Sequence, residues 1–112
     1  MTTRRLHVPV GENYSESIEK MAKAECCPTE YLVSLFVEEF LLQDSHRSFL
    51  LVSSVASDLG HNVSMTEEVQ EKLAQFKLKE GYDQPDPAIL RAIIENRVRR
   101  RRKQEHEAAA KK

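Results

Sequence analysis

The chain has 112 residues, enough for one domain or a small domain with an extension, and its own core is thin, with 40% hydrophobic residues, 6% aromatic and no Trp. A formal net charge of −1 gives no global nucleic-acid signal, and no apolar run approaches the roughly 18 residues that a membrane helix needs. Met1-Thr2-Thr3-Arg4-Arg5 leads into alternation rather than an apolar leader, so the expected location is cytoplasmic with no membrane partner.

Chemistry-bearing residues are sparse. Cys26 and Cys27 are the only cysteines; they are adjacent, and neither a disulfide framework nor a second pair of metal ligands goes with them. His7, His46, His61 and His106 are scattered, and no HxxxH, CxxC or Gly-rich phosphate loop occurs. Glu38-Glu39 reads as the wet edge of a helix rather than an acid/base pair. The expectation is therefore no catalytic residue, no metal site, no cofactor and no enzyme. Charge distribution says more than its sum. Residues 1–10 carry Arg4 and Arg5 and no acid, residues 12–44 carry eight acids against Lys20 and Lys23, and residues 97–103 carry six bases and no acid. The ends are basic and the middle is acidic.

In chain order, Arg5-Leu6-His7-Val8-Pro9-Val10 alternates at period two, with Leu6, Val8 and Val10 on one side and Arg5, His7 and Pro9 on the other. A lone strand leaves its backbone donors and acceptors without partners, and the residues offer no second strand of comparable quality. The simplest expectation is a two-fold homodimer in which two copies pair antiparallel. Such a ribbon buries its apolar side and turns Arg5 and His7 outward, at a width that fits the DNA major groove.

Gly11 allows a turn, and Glu12-Asn13 starts a helix with Tyr14, Ile18, Met21, Ala22 and Cys26 on one stripe. Pro28 breaks it and suits the first turn of a second helix from about Thr29 to Gln43. That helix is apolar on much of its circumference (Tyr31, Leu32, Leu35, Phe36, Val37, Phe40, Leu41, Leu42), which places it at the centre of an assembly.

Residues 3–41 resemble the ribbon-helix-helix family of DNA-binding repressors, the MetJ- and Arc-like proteins. The likeness rests on Arg5-Leu6-His7-Val8 with Val10 for the strand and Glu12 at the first helix start. Tyr14, Ile18, Met21 and Ala22 match the core of that helix; Leu32, Val33, Val37, Phe40 and Leu41 match the core of the second. The resemblance implies an intertwined dimer that reads DNA through its paired strands. Three positions depart from the family pattern: Cys26 stands where Gly is frequent, Pro28-Thr29 with Glu30 where Ser or Thr grips a phosphate, and Pro9 at an outward strand position that is usually polar.

The remaining residues suggest three more helices. One runs from Ser48 to about Asp58, with Phe49, Val52, Val55, Ala56 and Leu59 on a face, and Gly60-His61-Asn62 ends it. Ser64-Met65-Thr66-Glu67 reads as a capping box opening another with Val69, Leu73 and Phe76, closed by Gly81. After a loop at Tyr82-Asp83-Gln84-Pro85, Asp86 as N-cap and Pro87 at the first position open the last, with Leu90, Ile93, Ile94 and Val98 on one side. It runs into Arg97-Val98-Arg99-Arg100-Arg101-Arg102-Lys103 and a Glu/Ala/Lys tail. The residues show no repeat.

The expected fold is mainly α: a ribbon-helix-helix unit over 1–44 and a helical extension over 45–112, assembled as a homodimer or dimer of dimers. Leu6, Val8, Val10, Leu32, Phe36 and Phe40 are the expected dimer interface. Double-stranded DNA is the expected partner. Arg5 and His7 are the candidate base readers, Thr3 and Thr29 further contacts, and Arg97, Arg99, Arg100, Arg101, Arg102 and Lys103 candidate phosphate contacts. The function expected is sequence-specific transcriptional repression, with partition, relaxosome and antitoxin roles equally compatible. Residues 45–112 could instead take a protein partner, and a helical adaptor that dimerises without binding DNA is the competing reading.

Overall fold

A computed structural model describes residues 3–43 and 60–110 of the chain. Its elements are β1 (Arg4–Pro9), α1 (Glu12–Ala24), α2 (Thr29–Leu42), β2 (Gly60–Met65), α3 (Glu67–Glu80) and α4 (Asp86–Ala110). The described chain is mainly helical, with one two-stranded antiparallel sheet. The helix expected from Ser48 to Asp58 falls outside the described residues.

β1 forms where the alternation places it, with Val8 and Val10 fully buried and Leu6 packed against the core. Its partner is β2 of the same chain rather than a second copy. Arg5 lies opposite Ser64, Leu6 opposite Val63, His7 opposite Asn62, Val8 opposite His61 and Pro9 opposite Gly60. Gly60-His61-Asn62, expected to stop a helix, therefore opens a strand. Ser64 lies within that strand, and the helix cap moves to Thr66, whose hydroxyl accepts from the Val69 N–H at 3.4 Å. The physical reason is the ladder. β1 needs a hydrogen-bonding partner, and Val63 and Met65 put two apolar side chains on the core side of a segment otherwise polar. The outer edge of β2 is met by α2, where Ser34 Oγ accepts from the Ser64 N–H at 2.9 Å.

The order β1–α1–α2 recurs as β2–α3–α4. One constant spacing takes Val8 to Val63, Val10 to Met65, Ile18 to Leu73 and Met21 to Phe76, and all but the half-buried Met21 are buried. The same spacing takes Cys26 to Gly81, the two residues at positive φ (55° and 74°) among the described residues. Both first helices also end on the same bond: the Cys27 N–H donates to the Ala22 carbonyl at 3.0 Å, the Tyr82 N–H to the Lys77 carbonyl at 2.9 Å. This is the Schellman termination, with Cys26 taking the left-handed position that Gly81 takes in the second half. A spacing two residues longer takes Pro28 to Pro85, Leu32 to Ile89, Val33 to Leu90, Phe36 to Ile93, Val37 to Ile94 and Leu41 to Val98. The repeat lies in burial and termination, not in residue identity.

The halves interlock. α2 packs on β2 and α3, α4 packs on β1 and α1, and α2 and α4 pack on each other. Leu32, Phe36 and Phe40, together with Leu6, Val8 and Val10, thus find within one chain the apolar cover expected from a second. One buried cluster joins Val8 and Leu32 of the first half to Val63 and Ile93 of the second. At the start of α4 the Pro85 carbonyl accepts from the Ala88 and Ile89 N–H groups at 3.0 and 3.3 Å. The helix therefore begins one residue earlier than expected, and Pro87 still lies in the first turn, where a missing N–H costs no intrahelical bond.

Candidate nucleic-acid interface

Residues directly opposite in an antiparallel pair share a face. The outward face of the sheet therefore carries Arg5, His7 and Pro9 from β1 with Ser64, Asn62 and Gly60 from β2. Arg5, His7 and Asn62 are exposed. His7 Nδ1 and Asn62 Oδ1 are 3.4 Å apart across the strand pair. The His7 ring leans over Gly60, where a Cβ would lie 2.6 Å from His7 Nε2 and 2.7 Å from the Val8 carbonyl oxygen. Only glycine fits under that approach.

Arg5 donates to Glu30 Oε1 from the first turn of α2. Both side chains are well exposed (60% and 41%), so screening holds the pair to roughly 1 kcal/mol or less and a competing acceptor can displace it. The Ser64 hydroxyl reaches the same carboxylate at 3.5 Å. Thr3 is exposed just before β1, and Thr29 is half-buried at the first position of α2.

The arginine run is not a solvated tail. Arg97 donates to Gln43 Oε1 at 2.8 Å and stacks 5.9 Å from the Phe40 ring centroid. Burial lowers its guanidinium pKa; nearby Glu39 opposes that, and Arg100 and Arg101 add to it. Arg101 pairs with Glu25 at 2.7 Å and lies 4.9 Å over Phe36. Arg102 donates to the Asn13 carbonyl and to Ser17 Oγ while covering the Tyr14 ring, and Arg99 reaches the Tyr14 hydroxyl at 3.4 Å. These four arginines fasten α4 to α1 and α2. Arg100 and Lys103 are exposed. The geometry thus separates Arg5 and His7, which share one face with Asn62, from most of the run, which is engaged elsewhere.

Beneath the sheet, Ser15 Oγ and His61 Nε2 are 2.9 Å apart, joining α1 to β2. Burial lowers the His61 pKa; Glu19 works against this and His7 with it. Ser15 is buried, so the pair holds the two elements together and presents no open hydroxyl. Glu95 on α4 is also buried, accepting from the Gly11 N–H at 3.4 Å with Arg91 at 3.8 Å. It places a carboxylate acceptor at the start of α1, where Gly11 brings no side-chain cap. Asp86 binds both Arg4 (2.9 Å) and Lys77 (3.0 Å); burial alone would raise its pKa, but these two cations bring it below the usual carboxylate value. Among the described residues, no three His, Cys, Asp or Glu side chains are placed to share a metal ion, and no helix is long and apolar enough to cross a membrane.

Asn62 and Ser64 read from sequence as a helix stop and a cap rather than as residues of the open face, and Glu95 gives no signal there. For the first two, the only available signal is the short alternation Val63–Met65 beside turn-forming residues. No protein-family model, curated protein sequence or solved structure matches the chain.

Proposed function

We propose that this chain is a sequence-specific DNA-binding protein, acting as a transcriptional repressor, that enters the major groove with the β1–β2 ribbon. The observation that carries this reading is the juxtaposition of exposed Arg5, His7 and Asn62 on the open face of a two-stranded ribbon whose other face is core. A ribbon of two strands fits the major groove, Arg pairs with guanine O6/N7 and Asn with adenine N6/N7. The likeness of residues 3–41 to ribbon-helix-helix repressors supports it, with β2–α3–α4 taking the place of the second subunit.

The test is anisotropy of a labelled random duplex titrated with protein from low to high salt. Binding at low salt that weakens steeply as salt rises is the expected result. Failure to bind at low salt overturns the reading. In that case the chain is a helical interaction module, a view favoured by one specific observation: Arg97, Arg99, Arg101 and Arg102 are committed to contacts inside the chain.

A further inference from the structure

The two strands that form the ribbon are different sequences, and their outward residues are distributed unequally along it. At one end stand Arg5 and Ser64, with Glu30 beside them. His7 and Asn62 occupy the middle. At the other end stand Pro9 and Gly60. Proline and glycine bring no side-chain donor or acceptor, so that end cannot read a base edge by a side-chain hydrogen bond. The His7 ring, leaning over Gly60, caps the approach to it. A ribbon made of two copies of β1 would carry Arg at both ends and offer the same face after a half-turn. Among the described residues, this ribbon carries its outward guanidinium at one end only.

We infer that the duplex element recognised by this chain is non-palindromic, read in one orientation by a single chain, with most of its sequence information under the Arg5–His7–Asn62 end of the ribbon. This rests on the DNA-binding reading above and specifies its substrate. The flank of the ribbon agrees with it. Beside Arg5 lies a shallow hollow of about 310 Å³ lined by Pro28, Glu30, Tyr31, Ser34 and Ser64, and Tyr31 is 60% exposed there. That end thus adds hydroxyl and aromatic groups to the ionic ones, suited to sugar and base contacts rather than to phosphate, which the Glu30 carboxylate would repel. The Glu30 carboxylate sets a condition: it must release Arg5 when guanine accepts, and it holds Arg5 only weakly because the pair is exposed.

The experiment is selection of bound duplexes from a random library with the full-length chain, followed by stoichiometry on the selected site. The expected motif is asymmetric, contains a guanine at its most constrained position, and binds one chain per duplex. Arg5→Ala should weaken that site roughly 5- to 150-fold and erase the preference at the guanine, while Asn62→Ala relaxes a neighbouring adenine. Glu30→Gln, which removes the charge beside Arg5, should strengthen scrambled DNA more than the selected site. Arg5 and Asn62 are exposed and Glu30 is partly buried, so the folding of all three variants is checked by an unchanged melting temperature. A motif identical on both strands, or two chains per selected duplex, overturns the inference and leaves the DNA-binding reading standing. No enrichment over the starting library overturns both.

Discussion

The first half of the chain (β1–α1–α2) and the second (β2–α3–α4) solve one packing problem with different residues. Inward positions correspond almost one for one, from Val8 and Val63 to Val37 and Ile94, because each half's second helix must cover the other half's strand. Outward positions do not correspond. The first half brings Arg5 and His7 to the ribbon, and the second brings Asn62 and Ser64. The N-termini of the first helices also diverge: Gly11 relies on the buried Glu95, whereas Thr66 caps its own helix. An interior shared by two halves constrains size and polarity at each buried site; solvent imposes no such constraint on the other side. The difference teaches that this architecture can hold its core fixed while its exposed face becomes one-sided.

The largest test of equivalence is a buried charge in each strand. Val8→Asp and Val63→Asp should each cost about 5 kcal/mol and leave the chain unfolded, because an unpaired carboxylate cannot be solvated in either place. Both residues have no exposure. If circular dichroism shows one variant folded, the halves do not share one core. Wild-type melting should also be independent of protein concentration, since β1 finds its partner within the chain; a melting temperature that climbs with concentration would assign part of the core to a second copy.

Next in size is the capping carboxylate peculiar to the first half. Glu95→Ala removes the acceptor of the Gly11 N–H and the partner of Arg91, and should cost about 3 kcal/mol. Thr66→Ala, in the second half, removes an exposed hydroxyl cap and should cost about 1 kcal/mol. Denaturant melts of the two variants measure the contrast; equal losses would mean that Glu95 is not the cap of α1.

The left-handed positions sharpen the comparison in opposite directions. Cys26→Gly relieves a side chain held at φ 55° and should stabilise by about 1 kcal/mol, whereas Gly81→Ala introduces that strain at φ 74° and should cost about 1 kcal/mol. A Cβ at Gly81 meets nothing within 4 Å, so backbone strain is the whole effect there. Equal signs for the two changes would refute the shared termination.

The smallest effect is a pH dependence. His61 is half-buried and its folded pKa is depressed, so the unfolded chain takes up a proton first as pH falls. Its contribution is intact above the unfolded value of 6.5 and is lost as pH drops below it toward the folded value. His61→Gln should flatten the loss of stability as pH falls below 6.5, measured by urea titration at each pH. An unchanged slope would assign the dependence to another group.

Periodicity and punctuation alone determined much of the fold. The apolar stripes of α1 and α4, the nearly all-round apolar character of α2, the alternation of β1, the stop at Gly81 and the loop over 82–85 are all written in local spacing, because an element that buries one face must repeat apolar residues at its own period. Arg5 and His7 were legible as outward residues for the same reason. The tertiary structure alone decided that Gly60–Met65 is a strand. Its local chemistry favours a turn and a cap, and only the unmet hydrogen bonds of β1 with the apolar cover of α2 make a ladder the better outcome. It alone decided the fate of the arginines, too. A run of like charges is the same string whether it faces water or lies on Tyr14, Phe36 and Phe40, and their long stems and planar heads are satisfied by whatever surface the fold brings beneath them.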